Sequence, residues 1–423
     1  MKPLLLSTSD IDGGAARSAY RLHQGLQTLG VASEMLVQLQ SSDDPTVHSP
    51  RPNFPRDLAK LRAAFDFLPL KFYQQRQGLP FSCQWLPDGV YNRVSAIKPD
   101  ILNLHWVGGG FLQIETLAKF QQPIVFTLHD MWAFTGGCHY SQACDRYTQS
   151  CGACPQLGSK PEWDLSRWIW QRKSNAWRGK QPIVVTPSKW LAECAANSRL
   201  FHHLRIETIP YGIDLTRFRP LDRATARHLL NLPQDRYLIL SGAANYRHDR
   251  RKGLHLLQAA LQSLSQTGWG EQLAIVLYGA SQPKPQENTL DFQVETHYLG
   301  TLKDDISLAL AYSAADVFVA PSVQDNLPNT VMEAIACGLP NVAFNIGGMP
   351  DLITHQTTGY LAQPFDVKDF AEGITWVLAD PERRQTLANA ARESAEQKFR
   401  LELQAQRYID LFEELLSCPQ ASN

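Results

Sequence analysis

The stretch Pro321-Ser322-Val323-Gln324-Asp325-Asn326-Leu327-Pro328-Asn329-Thr330-Val331-Met332-Glu333-Ala334 decides the fold. An apolar run, Val317 to Ala320, reads as a buried strand that ends just before it. Asp, Asn and Pro then mark a loop, and a helix begins near Pro328 or Asn329. The first amides of such a helix suit a phosphate. Asp325 in the loop and Glu333 in the helix, eight positions apart, can hold hydroxyl pairs on two sugar rings either side of a diphosphate. The plainer reading makes Asp325 a turn residue and Glu333 a helix-surface charge.

Outward from this stretch, short apolar runs alternate with amphipathic ones, the pattern of an α/β chain with mostly parallel strands. Strands are expected at Pro3–Thr8, Ala32–Val37, Asp100–His105, Pro123–Thr127 and Ile183–Pro187, and helices at Arg17–Leu29, Ile114–Phe120, Trp163–Arg178 and Lys189–Asn197. Residues 40–90 are polar and Pro-interrupted and read as a long variable excursion. A second unit begins near Ile206, with strands at Tyr237–Leu240, Leu273–Leu277, His297–Leu299, Val317–Ala320 and Asn341–Phe344. The expected organisation is a unit over 1–205 with a Cys-rich insertion at about 134–158, a unit over 206–390, and a terminal helix over 391–423 that crosses back to the first unit. Two doubly wound Rossmann-like domains facing across a cleft would place a ligand at the carboxyl ends of their strands.

Of 423 residues, 44% are hydrophobic and 19% charged, which excludes a largely disordered chain. Lys plus Arg is 40 and Asp plus Glu 41, so the net charge of −1 argues against a nucleic-acid binder. No apolar run reaches the ~18 residues of a membrane span, and Met1 to Asp12 lacks a secretory apolar region. A soluble cytoplasmic protein is expected.

Gly13-Gly14-Ala15-Ala16 follows the first strand and lets a phosphate or sugar approach the backbone, with Arg17 just beyond. His129 and Asp130 follow one strand, and His105 ends the strand before it. Lys252, with Arg247, Arg250 and Arg251 competing as its helper, supplies fixed cations for a leaving diphosphate.

Together these segments resemble retaining glycosyltransferases of family 4, whose architecture is called GT-B and whose signature is two acidic residues separated by seven others. Ile209-Pro210-Tyr211-Gly212-Ile213-Asp214 with Phe218 and Pro220, the run Arg251-Lys252-Gly253-Leu254, and Gly347 to Ile353 with Thr358 to Leu361 extend the likeness. It covers most of 1–15 and 98–415 and leaves out 40–90. Asp325 stands where the family more often has Glu. The resemblance implies that Asp325 and the amides of Asn326, Leu327 and Asn329 hold the donor sugar, with Thr330 beside them, and that Glu333 holds the nucleotide ribose. It implies donor contacts from Gly13, Gly14, Arg247, Arg251 and Lys252, and a catalytic set of His129, Asp325 and Lys252. His105 would line the acceptor site, Asp130 would orient His129 or bind the acceptor hydroxyl, and Arg17 would touch the donor or the acceptor.

Cys138, Cys144, Cys151 and Cys154 are spaced C-x5-C-x6-C-x2-C, with His139 beside the first. Thiolates so spaced can close a structural zinc site, and free or disulfide-forming thiols are the equal alternative. No catalytic cofactor is expected. Trp163, Trp170 and Trp177 recur every seven residues among Arg167, Arg172, Lys173, Arg178 and Lys180. Such a stripe reads as core, and otherwise as a face for an anionic membrane.

The expected activity is retaining transfer of a hexosyl group from a UDP- or GDP-sugar to a saccharide or lipid-linked acceptor in polysaccharide synthesis, with peripheral contact at the inner face of the plasma membrane. The rivals are a sugar-nucleotide epimerase on the same fold and a non-catalytic nucleotide-sugar-binding scaffold.

Overall fold

A computed structural model describes residues 1–49, 56–243, 246, 249–279 and 291–417. The chain packs as two compact units, Met1–Tyr211 with Glu402–Asn423, and Gly212–Leu401.

The first unit carries a parallel sheet of β1 (Pro3–Ser9), β2 (Glu34–Leu39), β3 (Val47–His48), β4 (Ile101–Leu104), β5 (Ile124–Thr127), β6 (Ile183–Thr186) and β7 (Ile206–Thr208), in the order β3-β2-β1-β4-β5-β6-β7. The apolar runs exist because both faces of this sheet are covered. Side chains alternate between the two cores: Leu4, Leu6 and Leu102 enter one, while Leu5, Ile101 and Val125 enter the other. The register pairs Leu4 with Glu34 on one side and with Leu102 on the other.

The second unit carries β8 (Tyr237–Gly242), β9 (Leu273–Tyr278), β10 (Glu295–Gly300), β11 (Val317–Ala320), β12 (Asn341–Phe344) and β13 (Gly359–Ala362), in the order β10-β9-β8-β11-β12-β13. All pairings are parallel. Each is a doubly wound, Rossmann-like sheet. In each, the chain leaves the first strand to one side and later returns on the other, so strand order reverses beside β1 and beside β8. Ligands of such sheets bind at the carboxyl ends of the strands flanking that reversal.

Three expectations change. Ile206–Thr208 does not open the second unit. It pairs with β6, Val184 opposite Ile206, and closes the first sheet. The 40–90 excursion holds β3, the helix Arg56–Asp66 and a 3-10 turn at Leu68–Phe72. The helix expected over Ile114–Phe120 is a 3-10 helix, Ile114–Lys119.

The chain's end divides between the units. The helix Pro381–Lys398 belongs to the second, where Arg392 donates to the Phe218 and Ala336 carbonyls at 2.8 and 2.7 Å. The helix Leu401–Ser417 packs on the first. Tyr408 and Phe412 are fully buried there, and the Tyr408 hydroxyl meets Thr127 Oγ1 at 2.8 Å. Among the described residues, no helix is long and apolar enough to cross a membrane.

Phe412→Ala should destabilise the first unit by about 3–5 kcal/mol, the usual cost of emptying a buried phenylalanine site. Urea unfolding of the two proteins reads the difference.

Candidate functional site

In the second unit, β11 delivers the chain at Pro321 and the helix Asn329–Ala336 takes it up again, with Pro328 as N-cap and no side-chain cap. The loop between is fixed from both sides. The Val323 amide donates to the Arg251 carbonyl at 2.8 Å, and the Arg251 guanidinium donates to the Gln324 carbonyl at 3.0 Å. The Gly348 amide donates to the Asp325 carbonyl at 3.2 Å. Two glycines with positive φ make this approach feasible. A Cβ on Gly253 (φ +71°) would overlap the Pro321 carbonyl oxygen, and one on Gly347 (φ +53°) would overlap that of Asp325.

Asp325 is buried, and Lys252 Nζ donates to its Oδ2 at 2.6 Å. Arg251 lies 3.4 Å from the same oxygen, the Ser322 hydroxyl 3.3 Å away donates to it, and the Asn326 amide donates to Oδ1 at 3.2 Å. Burial by itself would raise the Asp325 pKa. Lys252 and Arg251 override that and hold it below the usual carboxylate range. Arg251 is itself braced by Asp249 at 2.9 Å. Of the three candidate helpers, Arg251 lies with Lys252 at the same Asp325 oxygen, while Arg247 lies outside the described residues. Asn326 and Leu327 are buried, and Asn329 and Thr330 open the helix half-buried.

Glu333 is buried one turn on, and the Tyr312 hydroxyl donates to its Oε2 at 2.9 Å. The Tyr312 and Tyr278 hydroxyls meet at 2.7 Å. Burial first, then Tyr278 and Glu333, raise the Tyr312 pKa well above its ordinary value, so the phenol stays a donor. Asp325 and Glu333 are thus neither a plain turn residue nor a surface charge: both carboxylates are buried and held by named partners.

In the first unit, Gly13 (φ +98°) ends the loop after β1, and among the described residues nothing beyond its chain neighbours lies within 4 Å of where its Cβ would stand. Gly14 opens the following helix, and the half-buried Arg17 sits in its first turn, with its amide on the Gly13 carbonyl at 3.0 Å. His105 and His129 follow the neighbouring strands β4 and β5. His129 Nε2 meets His105 Nδ1 at 3.0 Å, and His129 Nδ1 meets the Tyr211 hydroxyl at 2.7 Å. Burial lowers both imidazole pKa values, His129 to about 4. Asp130 does not bond the His129 ring. It pairs with His139 Nδ1 at 2.6 Å and accepts from Trp106 Nε1 at 3.1 Å, while Ser82 holds the far side of His139. Burial would raise the Asp130 pKa, but His139 brings it down.

The four insertion cysteines are free thiols that line one small cavity with Phe81, Gly136 and Tyr147. Among the described residues, no three His, Cys, Asp or Glu side chains are placed to hold a metal ion. The insertion is also held by core packing. Phe134, Cys154 and Leu157 enter the main core, and the buried Lys173 ammonium donates to the Trp132 and Thr135 carbonyls and lies 3.7 Å from the Trp132 ring centroid. Burial pulls Lys173 down to about 7. The tryptophan stripe also breaks. Trp170 is buried and Trp177 packs on the core, but Trp163 precedes the helix Leu165–Ala176 and is exposed.

Sequence reasoning missed Tyr312, Tyr278, Lys173 and Asp10. The buried Asp10 accepts from the Ser41 and Ser42 amides at 3.0 and 2.8 Å and so ties the loop after β1 to the one after β2. A tyrosine at a core position of a helix was the available signal, because a buried hydroxyl must find a partner. Lys173 carried no signal, since it sits among solvated bases in the sequence.

Residues 12–217 match Glycosyltransferase Family 4, and residues 222–394 match Glycosyl transferases group 1. A D-inositol 3-phosphate glycosyltransferase of Saccharomonospora viridis is 30% identical over 92% of this chain and 86% of its own. A relative in Escherichia coli named for colanic acid biosynthesis, the glycosyl transferase WcaC, is 24% identical over 78% of this chain and 80% of its own. The crystal structure of Anabaena HepE in complex with UDP-glucose aligns with a TM-score of 0.66 at 17% identity, over 98% of this chain and all of that one.

Two outcomes test these contacts. Gly347→Ala should cost at least about 2 kcal/mol of stability, from the left-handed backbone and the overlap at Asp325, and should show in urea unfolding. The second concerns pH. The buried His129 and His105 stay neutral in the folded protein while the unfolded chain protonates near pH 6.5. Stability contributed by these rings is therefore complete above pH 6.5 and is lost as pH falls toward 4. The unfolding temperature should drop across that window, and less steeply in a His129→Gln variant.

Proposed function

Because the chain belongs to the group 1 glycosyltransferases of family 4, we propose that it moves a hexosyl group, with retention, from a UDP- or GDP-sugar to a hydroxyl of a saccharide or lipid-linked acceptor. The observation that carries this reading is the pair of buried carboxylates at the carboxyl end of β11, Asp325 held by Lys252 and Arg251, Glu333 held by Tyr312. A diphosphate approaching Asp325 meets the two cations already gathered there, and they oppose the charge that builds as it leaves. Tyr312 donates to Oε2 of Glu333 and fixes the carboxylate, which in this reading takes the hydroxyls of the ribose. The name of HepE's bound ligand, UDP-glucose, supports a nucleotide-sugar donor. The colanic acid name of the Escherichia coli relative supports a role in polysaccharide synthesis.

In this reading the bond from the anomeric carbon to the diphosphate oxygen breaks, and the acceptor oxygen bonds to that carbon on the same face. The acceptor proton passes to a departing phosphate oxygen. Lys252 and Arg251 stabilise that leaving group, Asp325 holds the sugar, and His129 contributes from the first unit. His105, Asp130 and Arg17 take the acceptor. His129 has both ring nitrogens engaged by Tyr211 and His105. Its contact with the sugar would then come from its backbone.

The test is thermal unfolding with UDP, GDP, ADP and their sugars, on wild type and Glu333→Ala. One nucleotide at ~100 times its dissociation constant should add about 2.7 kcal/mol, and the variant should lose that gain. No stabilisation of folded wild type by any nucleotide would overturn the donor reading. Once the donor is known, the anomeric configuration of the product, read by NMR, tests retention.

A further inference from the structure

The face of the first sheet that carries Leu5, Ile101 and Val125 turns polar toward the carboxyl ends of its strands. Ser7 on β1, Asn103 on β4 and Thr127 on β5 follow those residues at the two-residue period that keeps side chains on one face. The ladder between β1 and β4 runs on past Leu104. The His105 amide donates to the Leu6 carbonyl at 2.9 Å, and the Thr8 amide to the Trp106 carbonyl at 2.8 Å. Ser7 and His105 therefore stand side by side on that face.

Ser7 Oγ, Asn103 Nδ2 and His105 Nε2 are buried and have no hydrogen-bond partner among the described residues. Ser7 is 1% exposed, Asn103 0% and His105 3%, so bulk solvent does not reach them. A buried polar atom left unpaired is costly. Neighbouring atoms of this kind are what an ordered internal water satisfies, with about three hydrogen bonds.

The direction of the surrounding hydrogen bonds fixes what that water does. Tyr408, fully buried on the helix Leu401–Ser417, has Thr127 Oγ1 as its hydrogen-bond partner at 2.8 Å. Burial raises the Tyr408 pKa, so the phenol keeps its proton and donates it. The Thr127 proton then goes to Asn103 Oδ1 at 2.9 Å, which leaves Asn103 Nδ2 as the donor to the water. A water that accepts from Asn103 uses both of its own protons by donating to Ser7 Oγ and His105 Nε2. With the proton on His105 Nε2 instead, one water proton would lack an acceptor. Burial keeps His105 and His129 neutral, so each ring has one proton to give. His105 therefore donates from Nδ1 to His129 Nε2 at 3.0 Å, and His129 donates from Nδ1 to the Tyr211 hydroxyl oxygen at 2.7 Å.

We propose that a buried water held by Ser7, Asn103 and His105 closes one directed chain of hydrogen bonds from Tyr408 to Tyr211, and that Tyr408 and Asn103 are positioning residues that set the tautomer of His129. The chain stands on the unpaired atoms and the count of donors. Only the use of His129 in sugar transfer rests on the donor reading.

Nitrogen NMR of the full chain with isotope-labelled histidine tests it, with His105→Gln and His129→Gln used to assign the two rings. In wild type both rings should carry the proton on Nδ1 and a bare Nε2. A crystal structure of the full chain should show a water within hydrogen-bond distance of Ser7 Oγ, Asn103 Nδ2 and His105 Nε2. Tyr408→Phe lets Thr127 either donate to Asn103 or accept from it, so the amide can turn over and the chain can reverse. The ratio of His129 protonated on Nε2 to that protonated on Nδ1 should rise about fivefold, the effect of about one hydrogen bond on an equilibrium. A variant that unfolds at a lower temperature but keeps the wild-type tautomers would reduce Tyr408 to packing and overturn the proposal. So would Nε2-protonated rings in wild type, or a crystal structure without the water. The wild-type measurements need no variant and decide the matter if Tyr408→Phe does not fold. The expected water and tautomers, in a protein whose unfolding no nucleotide shifts, would sustain the chain and sink only the donor reading.

Discussion

Parallel pairing of β8 with β11 fixes where the polar groups of the second unit must go. Both strands are almost wholly buried, so their interiors are mostly apolar. Polar residues collect where the chain leaves the strands. The turn Asp249–Gly253 and the loop Pro321–Pro328 meet there, and the ion pair of Lys252 with Asp325 forms between them. Without that cation the buried carboxylate would be costly, because the Ser322 hydroxyl and the Asn326 amide replace only part of the water that burial removes. The approach in turn demands Gly253 and Gly347, since any side chain at either position would overlap a loop carbonyl.

The same logic works on the first sheet with weaker electrostatics. Its buried polar groups after β4 and β5 are mostly rings. His105, His129 and Tyr211 form one chain, and Asp130, His139, Ser82 and Trp106 another. The first chain is neutral, so acid undoes it. The second contains a carboxylate whose partner histidine lowers its pKa. Lys173 then pins the loop that leads away from them through two carbonyls and a tryptophan ring. Lys173 bonds backbone carbonyls rather than a carboxylate, and burial lowers its pKa.

Most strands were legible because a strand buried on both faces writes itself as a continuous apolar run. Val317–Ala320 and Asn341–Phe344 coincide with the observed strands residue for residue. β7 was assigned to the wrong unit for a physical reason. Its residues are half-exposed at a sheet edge, and nothing in Ile-Glu-Thr says which neighbour it pairs with. The seven-residue tryptophan stripe misled because it assumed one helix from Trp163 onward. Asp164 caps the helix through the Arg167 amide, so Trp163 falls outside it.

The sequence by itself determined the class of sheet, the loop with Asp325 and Glu333, and the glycines and bases that accompany it. These are local matters: periodicity, turn chemistry and spacing within a few residues. Only the tertiary structure decided which side chains would answer them. Lys252 and Asp325 are 73 residues apart in the chain, Tyr312 and Glu333 21, and Thr127 and Tyr408 281. Such partners are chosen by strand order and by the need to satisfy every buried polar group. Neither is written at the positions concerned, because the same aspartate or tyrosine on an exposed loop would carry the same letter and bind only water.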